Sequence, residues 1–404
     1  MKIMLVNKFL YPRGGDCVYT LSLGSELQKR GHEVCYFGMQ HPLNNKELPG
    51  HCFFPSEVDF SSFKGISVEA VRRMFGGGDV YTCFDEILDC WNPEIVWINN
   101  VHSYLSPVIA RMAKARGCRV VWTLHDYKLI CPAYSLLTDG KRCEGCGVVY
   151  LNTIIRKCVK DSILASILAF VEANYWNKSK LIDYTDVFIC PSDFMKEMML
   201  KRGFPKEKLC VINNFLPQEK ASLIGKTISE LEISTEKAYA YVGRLSEEKG
   251  IRSLLHVARQ LPYTLYIAGT GPLETNIRNE FSSDKIRFCG QLSNEEVVEL
   301  MKRVRLTILP SICHDNCPLG VVESMACGTP VLGRRVGGVP DLLAFSPLNR
   351  MFDDDSEMSL LLHEMIENYP TLDERKKLSS MSLLHFSIDK YLSTLMPYLV
   401  DKMI

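Results

Sequence analysis

The sequence predicts an α/β protein with two nucleotide-binding units, and three stretches carry that expectation. Ile3–Val6 is an apolar run followed by Tyr11-Pro-Arg-Gly14-Gly15-Asp16. A helical pattern (Val18, Leu21, Leu27) then leads through Gly31 to a second run at Val34. Strand, glycine loop, helix, strand is a Rossmann-like opening. Ala238–Val242, the loop Gly243-Arg244-Leu-Ser-Glu-Glu-Lys249-Gly250 and the face Ile251, Leu254, Leu255, Ala258 repeat that order in a second unit. The third stretch begins with Val304, Leu306, Ile308 and Leu309 and stops at Pro310, as a buried strand ended by a turn does. After an irregular loop, Pro318 sits where a helix begins. Val321, Val322, Met325 and Ala326 form its apolar face, Gly328 ends it, and Pro330–Leu332 lead to Gly337-Gly338.

The totals set bounds. A length of 404 residues suits two or three domains. Lys+Arg and Asp+Glu are equal at 47 each, which argues against bulk electrostatic binding of nucleic acid. The opening Met1-Lys-Ile-Met-Leu-Val-Asn-Lys8 has too short an apolar run for a signal peptide, and no 18 apolar residues run together. Sixteen cysteines without a secretory signal read as thiols in a reducing cytosol. The expected location is therefore cytoplasmic, with peripheral attachment to the inner face of a membrane left open.

The segment 315–341 carries the clearest chemistry. The first amides of a helix lack intrahelical partners and hold the positive end of its dipole, so Cys317-Pro318-Leu319-Gly320-Val321 is suited to a diphosphate. Asp315 precedes that helix and Glu323 lies one turn inside it, where a carboxylate can accept from a ribose diol. Arg244 and Lys249, five apart in a glycine-bounded loop, can set two cations over one diphosphate.

Glu323-Ser-Met-Ala-Cys-Gly-Thr-Pro-Val331, Gly337-Gly338-Val-Pro-Asp341 and Gly243-Arg244-Leu-Ser-Glu-Glu-Lys249-Gly250 resemble the signature of glycosyltransferase family 4, the large retaining group with the GT-B fold. The pattern departs at Asp315 and Asp341, where the family has Glu; Asp315 keeps the charge and shortens the reach. The resemblance implies two facing Rossmann-like domains with a cleft, and a last helix that crosses back. It places an acceptor domain at 1–217 plus 386–404 and a donor domain at 218–385. Gly14 and Gly15 are implied to approach the donor phosphate or sugar, and Gly290 falls where backbone groups read the base. His125, at the end of the run Arg119–Leu124, is implied to contact the donor sugar; His102 is assigned a structural role. Arg244, Lys249 and the amides near Gly320 would take up the charge of the departing diphosphate without a catalytic cofactor. His125 and Asp315 would orient sugar hydroxyls, and Glu323 would hold the ribose. The expected partners are a nucleotide sugar, UDP- or GDP-linked, and a glycan or lipid-linked acceptor in surface-polysaccharide synthesis. A nucleotide-sugar 2-epimerase and a non-catalytic partner subunit are the competing readings.

Other stretches are less specific. Cys131, Cys143, Cys146 and Cys158, at intervals of eleven, two and eleven residues, fit a tetrahedral structural zinc site; a redox pair or separate buried thiols are the alternatives. Residues 40–90 show little periodicity and read as an insertion. The apolar segment Ser162–Trp176 suits a core helix, with a membrane-surface helix as the other reading. A helix is expected over 390–404, kinked or interrupted at Pro397.

Overall fold

The computed structural model describes residues 1–60, 68–138, 140–143, 145–146, 150–228, 231–232 and 236–400. The chain separates into two compact units, Met1–Ile212 with Leu392–Ile404, and Asn213–Tyr391.

The first unit opens with β1 (Lys2–Val6), α1 (Gly15–Lys29), β2 (Glu33–Phe37), α2 (Val68–Met74), α3 (Asp79–Trp91) and β3 (Ile95–Ile98). It continues with α4 (Val108–Ala115), β4 (Arg119–Thr123), a small hairpin of β5 (Leu137–Thr138) and β6 (Lys141–Arg142), and α5 (Asn152–Ile155). Then come α6 (Ile163–Tyr175), α7 (Lys178–Tyr184), β7 (Val187–Cys190), α8 (Asp193–Lys201) and β8 (Leu209–Val211). Its parallel six-stranded sheet has the order β2-β1-β3-β4-β7-β8. All four residues of β3 are buried, as a strand covered by helices on both faces requires. The three buried indoles are satisfied: Trp97 Nε1 donates to Thr123 Oγ1 at 2.9 Å, Trp122 Nε1 to the Asn99 carbonyl at 3.0 Å and Trp176 Nε1 to the Met74 carbonyl at 2.7 Å.

The second unit contains α9 (Gln218–Thr227), β9 (Ala238–Val242), α10 (Ile251–Ala258), β10 (Thr264–Ala268), α11 (Glu274–Phe281) and β11 (Ile286–Gly290). There follow α12 (Asn294–Arg303), β12 (Leu306–Leu309), α13 (Leu319–Ala326), β13 (Val331–Arg334), α14 (Val339–Leu343) and β14 (Arg350–Phe352). The last helices are α15 (Asp355–Glu367), α16 (Leu372–His385) and α17 (Ile388–Val400), of which α17 belongs to the first unit from Leu392 onward. Its sheet is also parallel and six-stranded, in the order β11-β10-β9-β12-β13-β14. Strand order reverses between β1 and β3 in the first sheet and between β9 and β12 in the second. Ligands bind outside the carboxyl ends of the strands at such points.

Three sequence expectations change. Residues 79–91 are helical despite the apparent lack of period: Val80, Phe84, Ile87 and Leu88 are buried at helical spacing. The region is organised by Arg73, fully buried, whose Nε and Nη2 donate to Asp79 Oδ1 at 2.9 and 2.5 Å. The helix α6 is not a core helix, because Ile163, Leu164, Ile167 and Val171 are exposed, Leu168 is half-buried, and its buried residues are Ser166, Ala169 and Glu172. Finally, α17 runs through Pro397 without interruption, and its end packs on the first unit, where Arg119 Nε donates to the Tyr398 carbonyl at 2.7 Å.

Arg375 on α16 ties the second unit together. It is fully buried, and Nε donates to the Gly328 carbonyl at 2.8 Å, Nη2 to the Lys302 carbonyl at 2.9 Å and to Thr329 Oγ1 at 3.0 Å. A cation thus sits against the carbonyl ends of α12 and α13, where the helix dipoles favour it. Truncation would orphan those carbonyls and open a cavity. Arg375→Ala is therefore expected to destabilise the second unit by about 3–5 kcal/mol, read as a lowered denaturant midpoint.

Candidate functional site

At the switch point of the second sheet the ends of β9 and β12 border a pocket of about 120 Å³. Its lining includes Val242, Gly243, Arg244, Lys249, Thr307, Leu309, Asp315, Pro318, Gly320 and Val321. The sequence separates these residues by up to about 80 positions; the topology brings them together. Arg244 is exposed at its mouth. Deeper in, Lys249 Nζ donates to Asp315 Oδ1 at 2.6 Å, with the two side chains 27% and 15% exposed. Burial pulls the Lys249 ammonium pKa down, but Asp315 and Cys313 beside it more than compensate, so it stays charged above its ordinary range. The same surroundings, burial first and Asp315 next, push the Cys313 thiol up to about 12, so it is a neutral neighbour.

Close backbone approach fixes these groups. Gly250 adopts φ +68°, and a Cβ there would lie 2.1 Å from the Pro310 carbonyl oxygen. It turns the chain directly after Lys249 and presses that loop on the end of β12. Gly337 adopts φ +60°, and a Cβ would lie 2.6 Å from the Asp315 carbonyl oxygen, to which Gly338 N donates at 2.8 Å. The Gly-Gly pair thus holds the loop bearing Asp315. Gly320 differs, since the nearest atom to a Cβ there is the Val242 carbonyl oxygen at 3.9 Å. Nothing in the chain's own packing demands glycine, so the space above this first turn belongs to the pocket. No side chain caps α13, whose N-cap is Pro318; Val321 N donates to the Pro318 carbonyl at 3.0 Å, and the amides of Leu319 and Gly320 open the helix without a side-chain acceptor.

The other expected residues of this unit are not in the pocket's lining. Glu323 is buried and its Oε1 pairs with Lys220 Nζ on α9 at 2.8 Å. Cys317 is buried, and its carbonyl accepts from Asn214 Nδ2 at 3.0 Å. Leu319 opens α13, and Gly290 ends β11 at φ +71°. Lys220 escaped sequence reading, because a lysine in a polar linker-like stretch carries no signal of a partner about 100 residues away.

The first unit gathers polar groups at the carboxyl ends of its own strands. Asn100 N donates to Asn7 Oδ1 at 3.0 Å across β1 and β3, and Asn100 Nδ2 reaches Asp16 Oδ2 at 3.4 Å. Gly14 is the N-cap of α1 with an extended backbone, and a Cβ at Gly15 would meet nothing within 4 Å. His125 Nε2 lies 3.0 Å from Asn99 Oδ1, with the Tyr19 ring edge-on at 4.8 Å. Burial lowers the His125 pKa, so the ring is neutral. His102 stacks on Trp122 at 5.7 Å and lies 3.6 Å from Asp126 Oδ1. Burial, helped by Lys128 and Lys8 and opposed by Glu172, takes its pKa down to about 3.

The expected zinc site finds no support. Cys131, Cys143, Cys146 and Cys158 do line one cavity, of about 10 Å³. Yet among the described residues no three His, Cys, Asp or Glu side chains are grouped to hold a metal. Each sulfur has a local environment instead. Cys143 Sγ accepts from Gly145 N and Arg156 Nη1, both at 3.4 Å; Cys158 meets Thr138 Oγ1 at 3.6 Å and Cys146 meets Thr153 Oγ1 at 3.7 Å. Burial pushes the Cys131 thiol up to about 11 and raises that of Cys146.

Proteins of known sequence and structure resemble this chain. Two family models match, described as Glycosyltransferase Family 4 over residues 13–220 and as Glycosyl transferases group 1 over residues 226–346. An uncharacterized 42.6 kDa protein in the cps region of Klebsiella pneumoniae is 27% identical over 369 residues, 86% of this chain and 88% of that one. The N-acetyl-α-D-glucosaminyl L-malate synthase of Bacillus anthracis is 22% identical over 82% of this chain and 79% of its own. Among solved structures, Anabaena Alr3699/HepE in complex with UDP-glucose superposes with a TM-score of 0.67 at 16% identity, covering 99% of this chain and 100% of that one.

Two outcomes test this description. Gly337→Ala is expected to cost about 2–3 kcal/mol in unfolding free energy, since alanine meets both an unfavourable φ and the Asp315 carbonyl. For His102 the folded pKa is depressed below the unfolded value of about 6.5. Its contribution to stability is therefore present above that value and lost as pH falls toward about 3. Between pH 7 and pH 5 the wild-type protein is expected to lose about 1–2 kcal/mol more than His102→Gln, measured by denaturant unfolding at both pH values.

Proposed function

The chain belongs to glycosyltransferase family 4 and is a transferase of GT-B fold, and we infer that it moves a sugar from a UDP- or GDP-linked donor to a glycan or lipid-linked acceptor with retention at the anomeric carbon. In this reading the second unit binds the donor and the first binds the acceptor. One observation carries it: Arg244, Lys249 and the uncapped amides of α13 border a single pocket at a topological switch point. Lys249 has three N–H groups and spends one on Asp315 at 2.6 Å and a longer one on Cys313 Sγ at 3.9 Å, which leaves a donor for a phosphate oxygen. Arg244, exposed at the mouth, supplies a planar fork for a second oxygen.

The C–O bond from the anomeric carbon to the diphosphate breaks, and a bond to the acceptor oxygen forms on the same face. The acceptor proton passes to the departing phosphate. The accumulating negative charge meets Arg244, Lys249 and the α13 amides, already oriented before the reaction. Asp315, held by Lys249, orients sugar hydroxyls. Glu323, steadied through Oε1 by Lys220, keeps Oε2 for the ribose diol. In the first unit, neutral His125 is suited to hydrogen-bond a sugar hydroxyl, and the Gly14-Gly15 turn leaves room for a donor group. A solved neighbour holding UDP-glucose supports the donor class, and the relative from a cps region supports surface polysaccharide as the setting. Among the described residues no helix is long and apolar enough to cross a membrane, which is compatible with work in the cytoplasm or at a membrane face. The transferase and synthase names among the relatives favour transfer over 2-epimerisation or a non-catalytic role.

Arg244→Ala and Lys249→Ala are each expected to lower kcat/KM by roughly a hundredfold, about 3 kcal/mol of transition-state stabilisation. The assay is transfer from the nucleotide sugar that gives the largest thermal shift in a panel of UDP and GDP sugars. Turnover near wild type in both variants would overturn the phosphate assignment.

A further inference from the structure

The helix α6 is built inside out. Its buried positions are Ser166, Ala169 and Glu172. Ser166 Oγ accepts from Val159 N at 3.1 Å, and Glu172 pairs with Lys128 Nζ at 3.0 Å and accepts from Ser103 Oγ at 2.9 Å. The outward positions are Ile163, Leu164, Ile167, Val171 and Tyr175, which are 50%, 60%, 38%, 44% and 40% exposed. Residues 163, 167, 171 and 175 recur every four positions, so they form one stripe along the helix. The neighbouring α5 packs against α6, and Leu151 and Ile155 there are exposed too. Isolated exposed leucines are ordinary on a protein surface, but a contiguous apolar stripe marks an interaction surface.

The charges indicate what covers it. Arg156, Lys157 and Lys160 precede α6, and Lys178 and Lys180 follow it. Lys180 folds over the Tyr175 ring at 4.4 Å, which places a cation at the end of the stripe. Between residues 150 and 184 the carboxylates are Asp161 and Asp183, both exposed, and Glu172, buried and paired. In a chain of zero net charge this is a local cationic excess, at both ends of an apolar face. Two copies meeting antiparallel along α6 would bring the basic side chains of one end against those of the other, five cations per copy with Asp161 and Asp183 to offset them. An anionic lipid surface has no such conflict.

We propose that α6 is an interfacial helix that lies in the plane of an anionic phospholipid membrane. Ile163, Leu164, Ile167 and Val171 enter the acyl boundary, Tyr175 sits at its polar edge, and the flanking lysines and Arg156 meet headgroup phosphates. With 13 residues α6 spans only about 20 Å, too short to cross the hydrocarbon. The proposal rests on the surface of the first unit alone and is independent of the donor assignment.

Co-sedimentation of the full chain with vesicles tests it. Binding is expected to phosphatidylcholine vesicles containing a third phosphatidylglycerol, to weaken with added salt, and to be at least about tenfold weaker with phosphatidylcholine alone. The variant Leu164→Gln/Ile167→Gln/Val171→Gln is expected to bind anionic vesicles at least about tenfold more weakly with its melting temperature retained. Lys157→Glu/Lys160→Glu, which leaves the apolar stripe intact, is expected to lose the preference for anionic vesicles and serves should the first variant misfold. Absence of wild-type binding, or equal binding by both variants, would overturn the proposal. So would a wild-type dimer in sedimentation velocity that the triple variant converts to monomer without any vesicle binding, which assigns the stripe to a second copy.

Discussion

Backbone crowding around the loop that follows β9 is the constraint on which the pocket of the second unit depends. A cation in a loop is a poor electrostatic element when its backbone can drift, because the interaction falls with distance and with entry of water. Here the turn at Gly250 brings Lys249 against the end of β12, and the turn at Gly337 brings a second loop against Asp315. Neither contact admits a Cβ. The ion pair at 2.6 Å is the result of those two approaches, and its partners come from opposite sides of the switch point. Their charge is thus oriented by backbone that is itself held by neighbouring strands, which is what preorganisation requires.

Much of this was legible in the sequence. The parallel strands announced themselves as short apolar runs ended by proline, glycine or polar residues, because strands covered on both faces carry no alternation to obscure. Arg244, Lys249, Asp315, Pro318 and Gly320 stood out in the sequence through spacing and type, and they border one pocket. Glu323 shows where such reading ends. Its spacing from Asp315 places it one turn into α13, but the direction of its carboxylate is decided by Lys220, whose position depends on how α9 packs. The four cysteines show a similar boundary. They line one cavity, yet the hydrogen bonds that the sulfurs accept from Gly145 and Arg156 or share with Thr138 and Thr153 are set by local turns.

Charge also acquires meaning only with position. A chain with equal numbers of cationic and anionic side chains has no long-range field to attract a diphosphate or a membrane. Its electrostatics are local. In the second unit Lys249 is held charged by Asp315 in a half-buried pocket, whereas Arg375 is charged and fully buried against helix carbonyls, as a structural tie. The same residue class thus borders open space in one place and ties packed backbone together in another.

The helix α6 states the limit of periodicity as evidence. A repeat of four apolar residues specifies a stripe, and the physics that buries it in a core is the same that buries it in a lipid boundary. The discriminating information lies on the opposite face. A core helix places charged side chains there, free in water; α6 places Ser166, Ala169 and Glu172 there, and the glutamate is neutralised by Lys128 and capped by Ser103. Burying a carboxylate costs more than burying a leucine gains unless its partners are built in, so a helix that commits Glu172 inward has its orientation fixed by that network. The apolar stripe then has only the outside to face, and that follows from three polar and small residues, not from the five apolar ones.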